Sequence, residues 1–218
     1  HQVFINPDCT PNNKLLIHLV GTFGNPASTT FLPSLAANNG YKVIVLKYPN
    51  NISGTSACRT SSDINCHWKY RQEIIFGTDT SSAVTVDSNN SIVNRVQKLL
   101  SHLDGLYPSE NWGNFLTTSN EIDWSNIIAS GHSQGGGHAA FLGKKFKLDR
   151  VLMFASPNEY STFFSAPASW INSTSNTTDS NYYGFLNLYD EIVDFGEQYT
   201  ILNAMNLNPF GDTTLVEN

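Results

Sequence analysis

Charge is scarce in this chain: charged residues make up 14% of it, 12 Lys+Arg stand against 18 Asp+Glu, and the net charge is -6. No basic stripe is present, which counts against a nucleic-acid partner. No apolar run approaches the roughly 20 residues that span a bilayer, so no transmembrane segment is expected. The chain opens on His1-Gln2-Val3 without a signal peptide, and a targeting segment is expected to have been removed or never included. No phosphate loop or dinucleotide fingerprint occurs. His132 and His138 are six apart, off a common helix face, and no other metal signature is present, so neither metal nor cofactor is expected.

What remains suits one domain over residues 1–218, with 40% hydrophobic residues for a core and neither repeat nor linker. Asn, Ser and Thr are abundant, a neutral polar surface common outside the cell. N-x-S/T sequons stand at Asn51, Asn89, Asn172 and Asn176, as chance allows in such a composition. Of three cysteines, Cys58 and Cys66 share one polar loop. A bridge between them would stabilise by ~2.5 kcal/mol on the chain-entropy estimate. It implies a secreted, periplasmic or extracellular setting. Cys9 is then unpaired, or pairs outside the chain.

Apolar runs alternate with amphipathic stretches. Strands are expected at Leu15–Val20, Tyr41–Tyr48, Asn126–Ser130, Arg150–Ala155 and Gly184–Tyr189. Helices are expected at Ala27–Asn38, Ser91–Leu103 with Ser91 as N-cap, Gln134–Lys145 and Glu197–Leu207. Residues 50–80 lack periodicity and read as a long disulfide-containing loop, in which Arg71 and Glu73 are candidates for an ion pair. Trp112 and Trp170 fall in loops, as packing residues by default and cleft-lining ones otherwise. The alternation predicts an α/β fold with a mostly parallel sheet covered on both faces.

The most informative segment is Ile127-Ile-Ala-Ser-Gly131-His132-Ser133-Gln134-Gly135-Gly-Gly-His-Ala-Ala-Phe141. It places G-x-S-x-G between an expected strand and an expected helix. Glycines two residues before and after the serine remove Cβ atoms that would collide in so tight a turn. The turn lifts the Ser133 hydroxyl above the sheet edge, where the helix N-terminus and the Gln134 N–H face developing oxyanion charge.

On this elbow the sequence resembles the α/β-hydrolase superfamily, in particular secreted bacterial-type serine hydrolases with a Gly-His-Ser-Gln-Gly-Gly-Gly-His-Ala-Ala elbow. The resemblance implies a three-layer α/β/α sandwich and a Ser-acid-His triad acting on carboxylic esters or related acyl compounds, small or lipid-like. It implies a second oxyanion donor in Val20-Gly21-Thr22-Phe23, at the Thr22 N–H with Phe23 as the alternative. It implies an acid at Asp190, after the strand ending at Tyr189, with Glu159 as fallback and Asp194 as a weaker candidate.

The family's histidine follows its acid, yet no histidine follows Asp190. His132 should point away from the serine oxygen, and His138 lies more than a turn beyond Ser133. His18 reads as a packed core residue. His67 reaches the site only if the cysteine loop folds over it. Two expectations follow. Thr213–Val216 begins a last strand with the histidine beyond it, or the protein is a catalytically inactive binding or structural relative.

Overall fold

The computed structural model describes residues 1–210. The strand expected at Thr213–Val216 lies outside the described residues. In chain order the elements are β1 (Gln2–Phe4), β2 (Leu15–Leu19), α1 (Phe31–Ala37), β3 (Lys42–Leu46), α2 (Gly54–Cys58), α3 (Cys66–Phe76) and α4 (Ile92–Leu106). There follow β4 (Ile127–His132), α5 (Gln134–Lys145), β5 (Arg150–Phe154), the two-residue strands β6 (Tyr160–Ser161) and β7 (Ala166–Pro167), β8 (Tyr182–Phe185) and α6 (Phe195–Ala204).

Among the described residues six strands form one mixed sheet in the order β1-β3-β2-β4-β5-β8. Only β1 runs antiparallel; the four pairings from β3 to β8 are parallel. Side chains alternate across a strand. Leu15, Ile17 and Leu19 of β2 therefore join the larger core with Ala139 and Phe141 of α5 and Val96 and Leu100 of α4. Leu16 of β2 turns to the other face, where it meets Val43, Ile128 and Ala37 of α1. Helices thus lie on both faces, and every parallel strand delivers its carboxyl end to one edge.

The expected helix over Gln134–Lys145 is α5. Ser91 caps α4, its hydroxyl accepting the Asn94 N–H at 3.3 Å, while Ile92, Val96, Leu100 and Leu103 fill the buried stripe. The helix expected from Ala27 is divided into a 3-10 turn at Pro26–Ser28 and α1. β8 begins two residues before Gly184 and ends at Phe185, and α6 begins at Phe195 instead of Glu197.

Residues 50–80 correct the expectation of a loop, since they hold α2 and α3. α3 has no apolar stripe to betray it. His67, Tyr70, Arg71, Glu73, Ile74 and Ile75 are all buried, so polar and apolar residues share the inward positions. Gly77, in the left-handed region at φ 72°, ends it. Arg71 and Glu73 do not pair with each other. Glu73 instead accepts the N–H groups of Thr80, Ser81 and Val86 and folds the following loop around itself.

Cys58 and Cys66 form the expected disulfide between α2 and α3, with Cα atoms 5.5 Å apart. Cys9 is a free thiol whose S–H donates to the Asn38 carbonyl. Trp112 and Trp170 are buried in the core. Among the described residues no helix is long and apolar enough to cross a membrane.

Candidate active site

Ser133 is the single residue between β4 and α5. Its backbone sits at φ 53°, ψ -121°, a conformation that L residues rarely adopt and that costs on the order of 1–3 kcal/mol. The bend is held from both sides: the Ser133 N–H donates to Phe154 O of β5 at 2.8 Å, and its carbonyl accepts the Gly137 N–H at 3.2 Å. It also demands glycine. A Cβ on Gly131 would lie 2.2 Å from the Gly135 backbone, and one on Gly135 would lie 2.0 Å from Leu19 O. Backbone thus packs on backbone where the helix leaves the sheet, and Ser133 stays half-exposed at the carboxyl edge.

The loop after β2 lies against this elbow. A Cβ built on Gly21 would stand 3.4 Å from Ser133 Cβ and 3.3 Å from His132 Nδ1. In this loop the Phe23 N–H is spent on Asn50 O and the Gly24 N–H on Gly21 O. Among the described residues the N–H groups of Thr22 and Gln134 have no protein acceptor. Of the two expected alternatives for a second donor, the Thr22 amide is the one left free.

Asp190 follows β8, and β4, β5 and β8 are parallel neighbours. Ser133 and the carboxyl end of β8 therefore lie at the same sheet edge two strands apart, a lateral step of about 10 Å, and Asp190 comes five residues beyond that end rather than directly after the strand as expected. Asp190 is half-buried, and its Oδ1 accepts the N–H groups of Ile192 and Val193. Asp194 caps α6 through the Glu197 N–H. Glu159 is buried and ion-paired with the equally buried Arg71. Burial lowers Arg71 to about 10, which leaves it charged at neutral pH beside its carboxylate. That carboxylate belongs to the core and does not reach an open edge.

No histidine hydrogen-bonds the Ser133 hydroxyl among the described residues. His18 is buried in β2 with Nδ1 2.7 Å from Ser130 Oγ, and burial, with a smaller contribution from His132, lowers it to about 4. His67 does not fold over the elbow. It lies buried in a small cleft with Cys58, Ile64 and Phe164, lowered to about 3 by burial and by Arg71. His138 is fully buried between Tyr48 and Tyr70, at ring centroid distances of 5.2 and 6.1 Å, and is held well below its ordinary pKa by burial. His132 is exposed beside Gly21, and His102 is exposed on α4.

No local pattern of residues signals the polar floor beneath the elbow. Arg71 Nη1 donates to Gln134 O at 2.7 Å, and a Cβ on Gly137 would collide with both Arg71 and Glu159. These partners come from α3, α5 and the segment after β5. Among the described residues no three His, Cys, Asp or Glu side chains gather as a metal site. Comparison with protein-family models and with curated proteins gives no match to this chain.

Proposed function

We propose that the chain is a serine hydrolase of the α/β-hydrolase type that acts on carboxylic esters or related acyl compounds, small or lipid-like. The strained, half-exposed Ser133 at a strand-to-helix junction carries the reading, because that backbone cost is otherwise unexplained. Ser133 Oγ attacks the acyl carbon, its proton passes to a base, and the base returns it to the departing alkoxide. Water then releases the acid by the same steps in reverse order. The Thr22 and Gln134 N–H groups take the oxyanion, each worth on the order of 3 kcal/mol to the barrier. Asp190 is the acid that orients the base, a place that none of the histidines among the described residues takes. The Cys58–Cys66 bridge supports an oxidising, extracytoplasmic setting.

One observation favours a second reading: none of the six histidines bonds Ser133, as in a relative that keeps the scaffold for binding alone. A fluorophosphonate probe separates the two. In the full protein the probe labels Ser133, and Ser133→Ala removes the label. A wild-type protein that stays unlabelled overturns the hydrolase reading and leaves the binding one.

A further inference from the structure

The Thr22 amide sits in a turn that the Gly24 N–H closes onto Gly21 O at 2.9 Å. Gly21 precedes it, and a glycine accepts almost any backbone angle. Gly21 can absorb its half of a rotation of the Gly21–Thr22 peptide, which would exchange the N–H for the carbonyl at the elbow, while the other half falls on φ of Thr22 and would break the Gly24 bond. A second restraint on that rotation comes from the segment after β3. Asn50 Nδ2 donates to Gly21 O at 2.7 Å and to Gly24 O at 3.0 Å, and Asn50 O accepts the Phe23 N–H at 2.9 Å. Tyr48, two residues earlier, donates its hydroxyl to Val20 O at 2.5 Å. Phe23 itself is held at φ 59°, in the left-handed region that an aromatic residue seldom occupies.

A trans peptide is planar, and its C=O and N–H point in opposite directions. The bonds that Asn50 Nδ2 and the Gly24 N–H donate to Gly21 O therefore fix the direction of the Thr22 N–H, away from both donors. The chain at Gly21 is also in van der Waals range of Ser133, since a Cβ there would meet Ser133 Cβ at 3.4 Å. We infer that Asn50 is a positioning residue, whose side-chain amide locks the Gly21–Thr22 peptide so that the Thr22 N–H serves the oxyanion formed at Ser133. This role rests on the hydrolase reading above. Asn50 does not touch substrate; it acts through Thr22.

The test is steady-state hydrolysis of a p-nitrophenyl ester by the full protein, with active sites counted by fluorophosphonate titration. Asn50→Ala is expected to lower kcat per titrated site about 10- to 100-fold, approaching the loss of one oxyanion donor. KM should stay within about threefold, because the amide serves the transition state more than the bound ester. Asn50→Asp keeps the size but replaces two donated hydrogens with an acceptor facing two carbonyls, and should fall as far. An unchanged kcat per titrated site, with only fewer active sites or a lower Tm, overturns the positioning role while Ser133-dependent turnover of the wild type preserves the hydrolase. Failure of both variants to fold likewise assigns Asn50 to the fold and overturns it. Absence of any Ser133-dependent turnover in the wild type removes the hydrolase reading and this inference with it.

Discussion

Thr22 Oγ1 donates a hydrogen bond to Gln134 Oε1 across 2.8 Å, between residues 112 positions apart. The two residues whose backbone amides are proposed to share one oxyanion are thereby joined through their side chains as well. Gln134 is buried, so its carbonyl oxygen has little water to turn to. Thr22→Val preserves the shape and deletes the donor. The buried acceptor left behind should cost about 1–3 kcal/mol, read as a lower urea midpoint, whereas Thr22→Ser should stay near the wild type. Equal midpoints for all three proteins would show that the bond contributes nothing.

Gly135→Ala tests the backbone contact beneath the elbow. The new methyl would stand 2.0 Å from Leu19 O and 2.6 Å from Val20 O, both main-chain atoms that cannot swing aside. Either α5 lifts from β2 or the protein fails to fold. The expected loss is about 3 kcal/mol or more, with Ser133 probe labelling falling in parallel. An alanine variant as stable and reactive as the wild type would contradict the close approach.

Breaking the Arg71–Glu159 pair should be among the most damaging changes in the floor beneath the elbow. Either Arg71→Met or Glu159→Gln strands one charge in the core, at about 3–5 kcal/mol. Changing both, Arg71→Met with Glu159→Leu, removes the stranded charge and should recover much of that loss in chemical denaturation. A double variant as unstable as the sum of the single ones would mean that the pair does not interact.

Acid should destabilise the fold through its buried histidines. His18 is lowered to about 4 and His67 to about 3, mainly by burial, against about 6.5 in an unfolded chain. Above pH 6.5 both states are neutral at these positions and stability is at its full value. As pH falls from 6.5 towards 4 and 3, the unfolded chain takes up protons that the folded one refuses. Stability then declines by up to about 1.4 kcal/mol per pH unit for each group. Tm recorded from pH 7.5 to 4.5 should fall, and His67→Leu should flatten the slope. A Tm that does not move over that range would show that these rings accept protons without unfolding.

Much of the layout was legible in the sequence because its signals are local. Ile127–Ser130 reads as a buried strand, Gly131 to Gly135 as a turn too tight for side chains, and Ser91 as a cap. β1 escaped notice because three residues, Gln2 to Phe4, carry no periodicity and gain strand geometry only by pairing with β3. α3 escaped because its inward face mixes His67, Arg71 and Glu73 with Ile74 and Ile75. The spacing that marks an amphipathic helix presumes that buried means apolar. Glu159 shows the same limit from the other side. A carboxylate after β5 is equally suited to an active site or a buried ion pair, and only the position of Arg71, 88 residues earlier, decides which.

By itself, the sequence determined the alternation of the parallel strands with α1, α4, α5 and α6, the serine bend and the cysteine pair, since each depends on residues within a few positions of one another. Tertiary structure decided the rest. It left the Thr22 amide without an acceptor and committed the Phe23 amide to Asn50. It also buried His18, His67 and His138 away from Ser133 and committed Glu159 to the core. Those outcomes depend on hydrogen bonds and packing between segments tens of residues apart, and no local pattern of residue types encodes which distant atoms will meet.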